Sequence, residues 1–240
     1  MRPAAYYENY WSAGGFQPLG SPTTPLQRIF RTQLIQIKNC LDVGCGDGGT
    51  IGPIARGMGV KYVGVDISRS AVDLAIQNGF EAIAIEGSDN LPFPTESFDA
   101  ACLIEVLEHL FDPLETLVEV HRVLAPGGAV VITVPNIAYW RRRLDLLAFG
   151  RWNPMGDELS VREPWRDPHV RFFTPRVVER LLEKAGFQRH RVWGDHGSLC
   201  RDIPWVRKFW WRESATYGFF QRRLPSLLRY RVVAIAEKLT

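Results

Sequence analysis

One short run of this 240-residue chain has the makings of a nucleoside cradle: Leu41-Asp42-Val43-Gly44-Cys45-Gly46-Asp47-Gly48-Gly49. Gly44, Gly46 and Gly49 keep the spacing G-x-G-x-x-G, which lets a backbone turn tightly and approach a ligand closely. Asp66 stands 22 residues after Gly44, at the end of the apolar run VKYVGVD, where its carboxylate can accept both hydroxyls of a ribose. On these features a dinucleotide fits almost as well as any other nucleoside. Asp42 separates the alternatives. Two positions before the first glycine, its carboxylate would repel a pyrophosphate and attract a cation. S-adenosylmethionine carries an ammonium and a sulfonium and no phosphate, so it suits an acidic loop where NAD or a flavin dinucleotide does not.

A second constellation is Glu105, Glu108 and His109. On a helix their offsets of three and four would bring all three side chains to one face. Two carboxylates and an imidazole so placed can hold a divalent cation, which lowers the pKa of a hydroxyl to be methylated. His169, in Asp167-Pro168-His169-Val170, is a fourth candidate ligand. Without a metal, His109 or His169 needs only hydrogen-bond reach of the hydroxyl to act as a general base. The same run also suits a helix cap that borders a cofactor cleft.

The elements that must position these residues are short apolar runs alternating with helical segments: CLDVGC, VKYVGVD, EAIAI, FDAACLI, GAVVITV, then FQRHRVWG and RYRVVAIAE. That alternation predicts βαβ units around a sheet buried on both faces. Right-handed crossovers give a doubly wound α/β fold, with its ligand beyond the carboxyl ends of the strands. Thr174, Pro175 and Gly186 mark the ends of a scaffold helix. LQRIFRTQLIQI reads as a helix with one buried face, placing Ile29, Phe30, Leu34 and Ile37 together. The stretch before it, to about Pro25 and rich in aromatics, Gly and Pro, reads as an ordered arm or lid rather than a helix pair. Domain organisation follows: an arm and helix over 1–38, then one catalytic domain over 39–240 with insertions at about 137–173 and 195–228.

The segments LDVGCGDG, VGVD, GSDNLPFPTESFD, IEVLEH and VLAPGGAVVITVPN together resemble the ordered motifs of class I S-adenosylmethionine-dependent methyltransferases, over about Asn39 to Asn136. The resemblance implies a Rossmann-like seven-stranded sheet whose last strand, RYRVVAIAE, runs antiparallel. It implies that Gly44 and Gly46 lie against the methionine and ribose portions, with Asp42 beside them and Asp66 on the ribose. Glu105, after the fourth strand, falls at the methionine end. Many relatives carry an acid where this chain has Gly87, so recognition of the adenine passes to Ser88 and Asp89, with Ile67 and Leu91 against its faces. The E-x-x-E-H pattern is similar to that of ubiquinone-biosynthesis O-methyltransferases. With a later histidine it also resembles small-RNA 3′-terminal 2′-O-methyltransferases, which implies Glu105, Glu108, His109 and His169 as metal ligands. The stretch PNIAYWRRRLDLLAFGRW followed by DPHVRFFT resembles the MetW-like group and methyltransferases of glycan or lipid biosynthesis.

Charge and composition bear on the acceptor. The net charge is only +3, yet Arg201 to Arg231 holds eight basic residues against two acidic ones. Basic and aromatic residues interleave there and around Trp140, Phe149 and Trp152, which suits an anionic acceptor with an apolar part, whether a small molecule, a glycan or a lipid-linked group. Peripheral membrane contact through 201–231 fits the same pattern. RNA 2′-O-methylation and a non-catalytic cofactor-binding partner are the competing readings. No run reaches the roughly 18 apolar residues of a membrane span, and the N-terminus lacks a secretory apolar run, so the expected compartment is the cytoplasm. Cys40, Cys45, Cys102 and Cys200 are scattered, as small core residues would be.

Overall fold

The computed structural model describes residues 3–13, 23–34, 36–151, 167–195 and 225–239. Trp152, Cys200 and most of the basic stretch 201–231 lie outside the described residues, as do the middles of both expected insertions.

The strands are β1 (Asn39–Val43), β2 (Lys61–Asp66), β3 (Ala82–Ala84), β4 (Phe98–Ile104), β5 (Leu124–Pro135), β6 (Gln188–Asp195) and β7 (Arg231–Glu237). They form one sheet in the order β3-β2-β1-β4-β5-β7-β6. The first five pair in parallel, and β7 enters antiparallel between β5 and β6, as the resemblance implied. Strand order reverses between β1 and β4. Their carboxyl ends diverge there, and a ligand crevice opens.

Both faces of the sheet are covered because successive side chains along each strand feed two different cores. Leu41, Val43, Val63, Val65, Leu103 and Ile132 pack on one side. Cys40, Tyr62, Ala100, Cys102 and Val131 pack on the other, where Cys40, Cys45 and Cys102 are buried free thiols.

Helices α3 (Gly52–Gly57), α4 (Arg69–Gln77), α5 (Pro113–Val123), α6 (Trp140–Phe149) and α7 (Pro175–Lys184) connect the strands. Their starts are set locally. Ser68 Oγ accepts from Ala71 N at the head of α4, Asp112 accepts from Leu114 N and Glu115 N at α5, and Thr174 accepts from Val177 N at α7. Among the described residues no helix is long and apolar enough to cross a membrane.

Two expectations for the N-terminal region are corrected. Pro3–Ser12 is a helix, α1, so the arm begins with helical structure after all. Tyr7 and Trp11 pack it on the main domain, against His109 and Gly46, and tertiary contact outweighs the modest helix propensity of such residues. Helix α2 (Thr23–Gln33) buries Leu26, Ile29 and Phe30 but stops before Ile37.

Candidate active site

The glycine loop leaves β1 as the spacing required. Gly44 and Gly46 have φ of 72° and 54°, a left-handed backbone that side chains disfavour. A Cβ on Gly44 would meet Val106 Cγ2 at 2.6 Å, and one on Gly46 would meet Trp11 Cζ2 at 2.5 Å. The loop is therefore roofed from two directions, by the segment after β4 and by α1.

Asp66 closes the opposite wall. Its Oδ2 accepts from Gly46 N at 3.0 Å and its Oδ1 from Ser68 N at 2.9 Å, so it holds the loop in shape as well as facing the crevice. Burial raises its pKa against the pull of those backbone donors. Asp42 is buried and accepts from Tyr62 Oη at 2.9 Å. Burial pushes its pKa up to about 7, partly offset by Tyr62 and reinforced by Asp66. Neither carboxylate has a cationic partner among the described residues. Two buried acids without a cation beside a tight glycine loop fit a cationic nucleoside and not a diphosphate.

The side expected to meet the adenine is less complete. Ser88 Oγ shares a hydrogen bond with Thr116 Oγ1 at 2.7 Å, and Asp89 folds its Oδ1 back over Gly87. Ile67 is half-buried at the loop wall. Leu91 is 2% exposed and belongs to the sheet core with Phe98 and Leu117, which corrects the expectation that it packs on the base. An apolar side chain two residues beyond an exposed acid gains more by joining that core.

The acceptor side departs most from the sequence reading. Glu105, Glu108 and His109 do not share a helix face. Glu105 takes a left-handed φ of 57° at the end of β4, and only Leu107–His109 makes a single 3₁₀ turn. The chain turns so sharply that the Glu105 carboxylate swings away to Arg231, with Oε1 3.0 Å from Nε. Glu105 is thus held by an ion pair and leaves the expected metal set. The other three expected ligands, Glu108, His109 and His169, are brought together. Glu108 O accepts from Val170 N at 2.9 Å and Arg171 N at 3.0 Å, stitching 167–173 beside the turn. The ligand atoms of Glu108, His109 and His169 then lie within 4.8 Å of one another.

The hydrogen bonds of this trio assign its tautomers. His109 Nδ1 donates to Pro168 O at 3.3 Å, and His169 Nδ1 donates to the Asp167 carboxylate at 2.7 Å. Both Nε2 lone pairs are left facing Glu108 Oε1, at 4.0 and 3.9 Å. Both Glu108 oxygens are buried without a hydrogen-bond partner among the described residues. Burial raises the Glu108 pKa well above the usual carboxylate range. Burial and the neighbouring His169 lower that of His109 to about 4, so its imidazole is neutral near pH 7. Three convergent acceptors with no donor among them require a proton, a water or a cation, and imidazoles anchored through their second nitrogen are the usual form of metal-ligating histidine.

Sequence reasoning missed several participants. Tyr7, on α1, places its ring edge-on to His109 with centroids 5.7 Å apart, and its hydroxyl is buried without a partner among the described residues. Burial pushes that hydroxyl's pKa up, and Tyr6, Glu108 and Asp66 add to it, so Tyr7 lies within electrostatic reach of both Asp66 and Glu108. Glu8 accepts from Ser68 Oγ at 2.9 Å and Ser70 Oγ at 2.5 Å, tying α1 to the head of α4. Arg142 is 8% exposed, inside the helix that carries Arg141 and Arg143 on the surface. The density of aromatics before Gly14 was the available signal for α1; Arg142 had none to distinguish it from its neighbours.

A family model for the methyltransferase domain matches residues 21–192. The 2-methyl-6-phytyl-1,4-hydroquinone methyltransferase of Synechocystis is 33% identical over 208 residues, covering 80% of this chain and 63% of that protein. The ubiquinone biosynthesis O-methyltransferase of Ruegeria pomeroyi is 31% identical over 156 residues, 62% of this chain and 59% of that one. The chain spans 36% to 59% of the length of several curated relatives it matches. A solved structure of Haemonchus contortus phosphoethanolamine N-methyltransferase 2 in complex with S-adenosyl-L-methionine superposes with a TM-score of 0.64 at 16% identity, over 100% of this chain and 58% of that chain, a likeness of fold. The matched range contains the glycine loop, Asp66 and the histidine cluster, and the chain belongs to the class I S-adenosylmethionine-dependent methyltransferases.

Proposed function

We propose that this chain transfers a methyl group from S-adenosylmethionine to a hydroxyl of a small, glycan or lipid-linked acceptor bearing negative charge. The observation that carries the reading is the meeting of two environments at the carboxyl ends of β1 and β4. Buried, uncompensated carboxylates flank the glycine loop, and the convergent lone pairs of Glu108, His109 and His169 stand beyond it.

Asp42, Gly44, Gly46 and Asp66 would hold the cofactor, whose sulfonium supplies an activated methyl group when bound. The protein's remaining tasks are to place the acceptor oxygen in line with that methyl group and to remove its proton. His169 Nε2 is suited to the second task, because Asp167 at 2.7 Å fixes its tautomer and ring orientation. His109 Nε2 faces the same space with a weaker anchor. A divalent cation fits the same three side chains. Glu108 would supply the charge, the two Nε2 atoms the neutral ligands, and the metal would make the acceptor hydroxyl more acidic.

Tritium transfer from labelled S-adenosylmethionine to a panel of phenolic and glycosidic hydroxyls tests the reading, run with and without chelator. Transfer abolished by His169→Gln supports it, and restoration by a divalent ion after chelation assigns the metal. Tight uptake of NADH with no affinity for S-adenosylhomocysteine would refute it.

A further inference from the structure

The acceptor side holds a buried cation that no step above uses. Arg142 lies on α6 immediately after β5, with its guanidinium 4.9 Å above the Tyr230 ring. Tyr139, at the head of the same helix, packs edge-on to Tyr230 with centroids 5.7 Å apart. These rings sheath the guanidinium from water. Nε and Nη2 of Arg142 are buried, and neither has a hydrogen-bond partner among the described residues. Those two atoms form one edge of the guanidinium fork, the edge that engages a carboxylate or phosphate with two parallel hydrogen bonds. A buried guanidinium edge left open costs more than a single missed hydrogen bond, so an open one marks a place where a ligand completes the fold. Its charge also lowers the Glu108 pKa, so the guanidinium lies within electrostatic reach of that carboxyl.

We propose that Arg142 is the acceptor-recognition residue, taking an oxyanion of the acceptor, carboxylate or phosphate, in a bidentate grip while Tyr230 holds the guanidinium plane. The proposal rests on the methyltransferase reading and gives its anionic acceptor a residue. It also sets the acceptor's chemistry: the oxyanion and the hydroxyl to be methylated belong to one molecule, close enough for Arg142 and the Glu108 cluster to hold both.

The full chain saturated with S-adenosylhomocysteine is titrated by calorimetry with benzoate, inorganic phosphate and the neutral isostere benzamide. At least one anion binds saturably, benzamide binds about tenfold more weakly than benzoate or not at all, and the tighter anion identifies the group. Arg142→Met weakens anion binding about tenfold or more and leaves S-adenosylhomocysteine affinity unchanged. Arg142→Lys, which keeps charge without the fork, recovers only part of it. If the methionine variant does not fold, the benzoate and benzamide pair on the natural chain and the lysine variant decide. Equal binding of benzoate and benzamide, anion binding untouched in the variants, or no anion binding at all overturns the proposal. Failure to bind S-adenosylhomocysteine at the outset refutes the methyltransferase reading instead.

Discussion

Asp42 makes the affinity for cofactor depend on pH in a direction that can be worked out. In the free protein its carboxyl titrates at about 7, because burial disfavours the anion more than the Tyr62 hydrogen bond supports it. A bound cation favours the anion, so binding expels a proton and the pKa falls. At pH 6 about one molecule in eleven carries the ionised form, and at pH 7.5 about three in four, so S-adenosylmethionine affinity rises about eightfold over that interval and then levels. Stability moves the other way. A carboxyl whose folded pKa is raised favours the fold at low pH and loses that contribution as pH climbs from the unfolded value near 4 through about 7, by at most about 4 kcal/mol. Asp42→Asn therefore flattens the affinity profile, and it also removes the stability decline. Tyr62→Phe deletes the donor that lowers the Asp42 pKa and shifts the affinity rise to higher pH. Calorimetry across pH 6 to 7.5, in buffers of different ionisation heat, reads both affinity and proton release. A natural chain with flat affinity and no proton release, or an Asn variant with the same slope, would refute the reasoning.

Two further outcomes follow from the site. Asp66→Asn loses a charge-assisted bond to the ribose and weakens its hold on Gly46 N and Ser68 N, so S-adenosylhomocysteine affinity falls by about 2 kcal/mol, roughly thirtyfold; unchanged affinity by calorimetry counts against the placement. Tyr7→Phe keeps the ring against His109 and removes only the buried hydroxyl, so kcat falls about tenfold with cofactor affinity intact if that hydroxyl bonds the acceptor; a fall in thermal stability with unchanged kcat would make it a packing residue.

How much of this was legible beforehand depended on the range of the interaction. The sheet was legible because most of its strands are written as local apolar runs, and the glycine loop because its conformational demand falls on closely spaced glycines, Gly44 and Gly46 among them. Asp66 was legible because strand and crossover lengths fix its distance from Gly44. The acceptor cluster was only half legible. A helical reading of Glu105, Glu108 and His109 assumed backbone continuity, whereas Glu105 is left-handed and its carboxylate pairs with Arg231, 126 positions later and on a different strand. His169 was found by residue type, yet its seat beside Glu108 rests on Val170 and Arg171 bonding the Glu108 carbonyl, which no local pattern encodes. Arg142 was indistinguishable from Arg141 and Arg143, since only its turn around α6 decides which of three arginines is buried.

The unsatisfied groups explain how the two halves of the site act together. Asp42 and Asp66 are carboxyls buried without a cation, Glu108 is a carboxyl without a donor, Tyr7 is a donor without an acceptor, and Arg142 is a cation without an anion, all among the described residues. Each imbalance opposes folding, and a ligand of opposite chemistry would relieve it. Helix α1 joins the two halves, because Trp11 roofs the glycine loop while Tyr7 lies on His109 and Glu8 anchors the helix to Ser68 and Ser70. The glycine loop and the histidine cluster therefore share one wall. A first ligand that seats α1 would leave the second a wall already in place, and each would then raise the affinity of the other by the same factor. Glu8→Ala frees the helix from α4 and reduces that reciprocity without touching either set of ligand contacts.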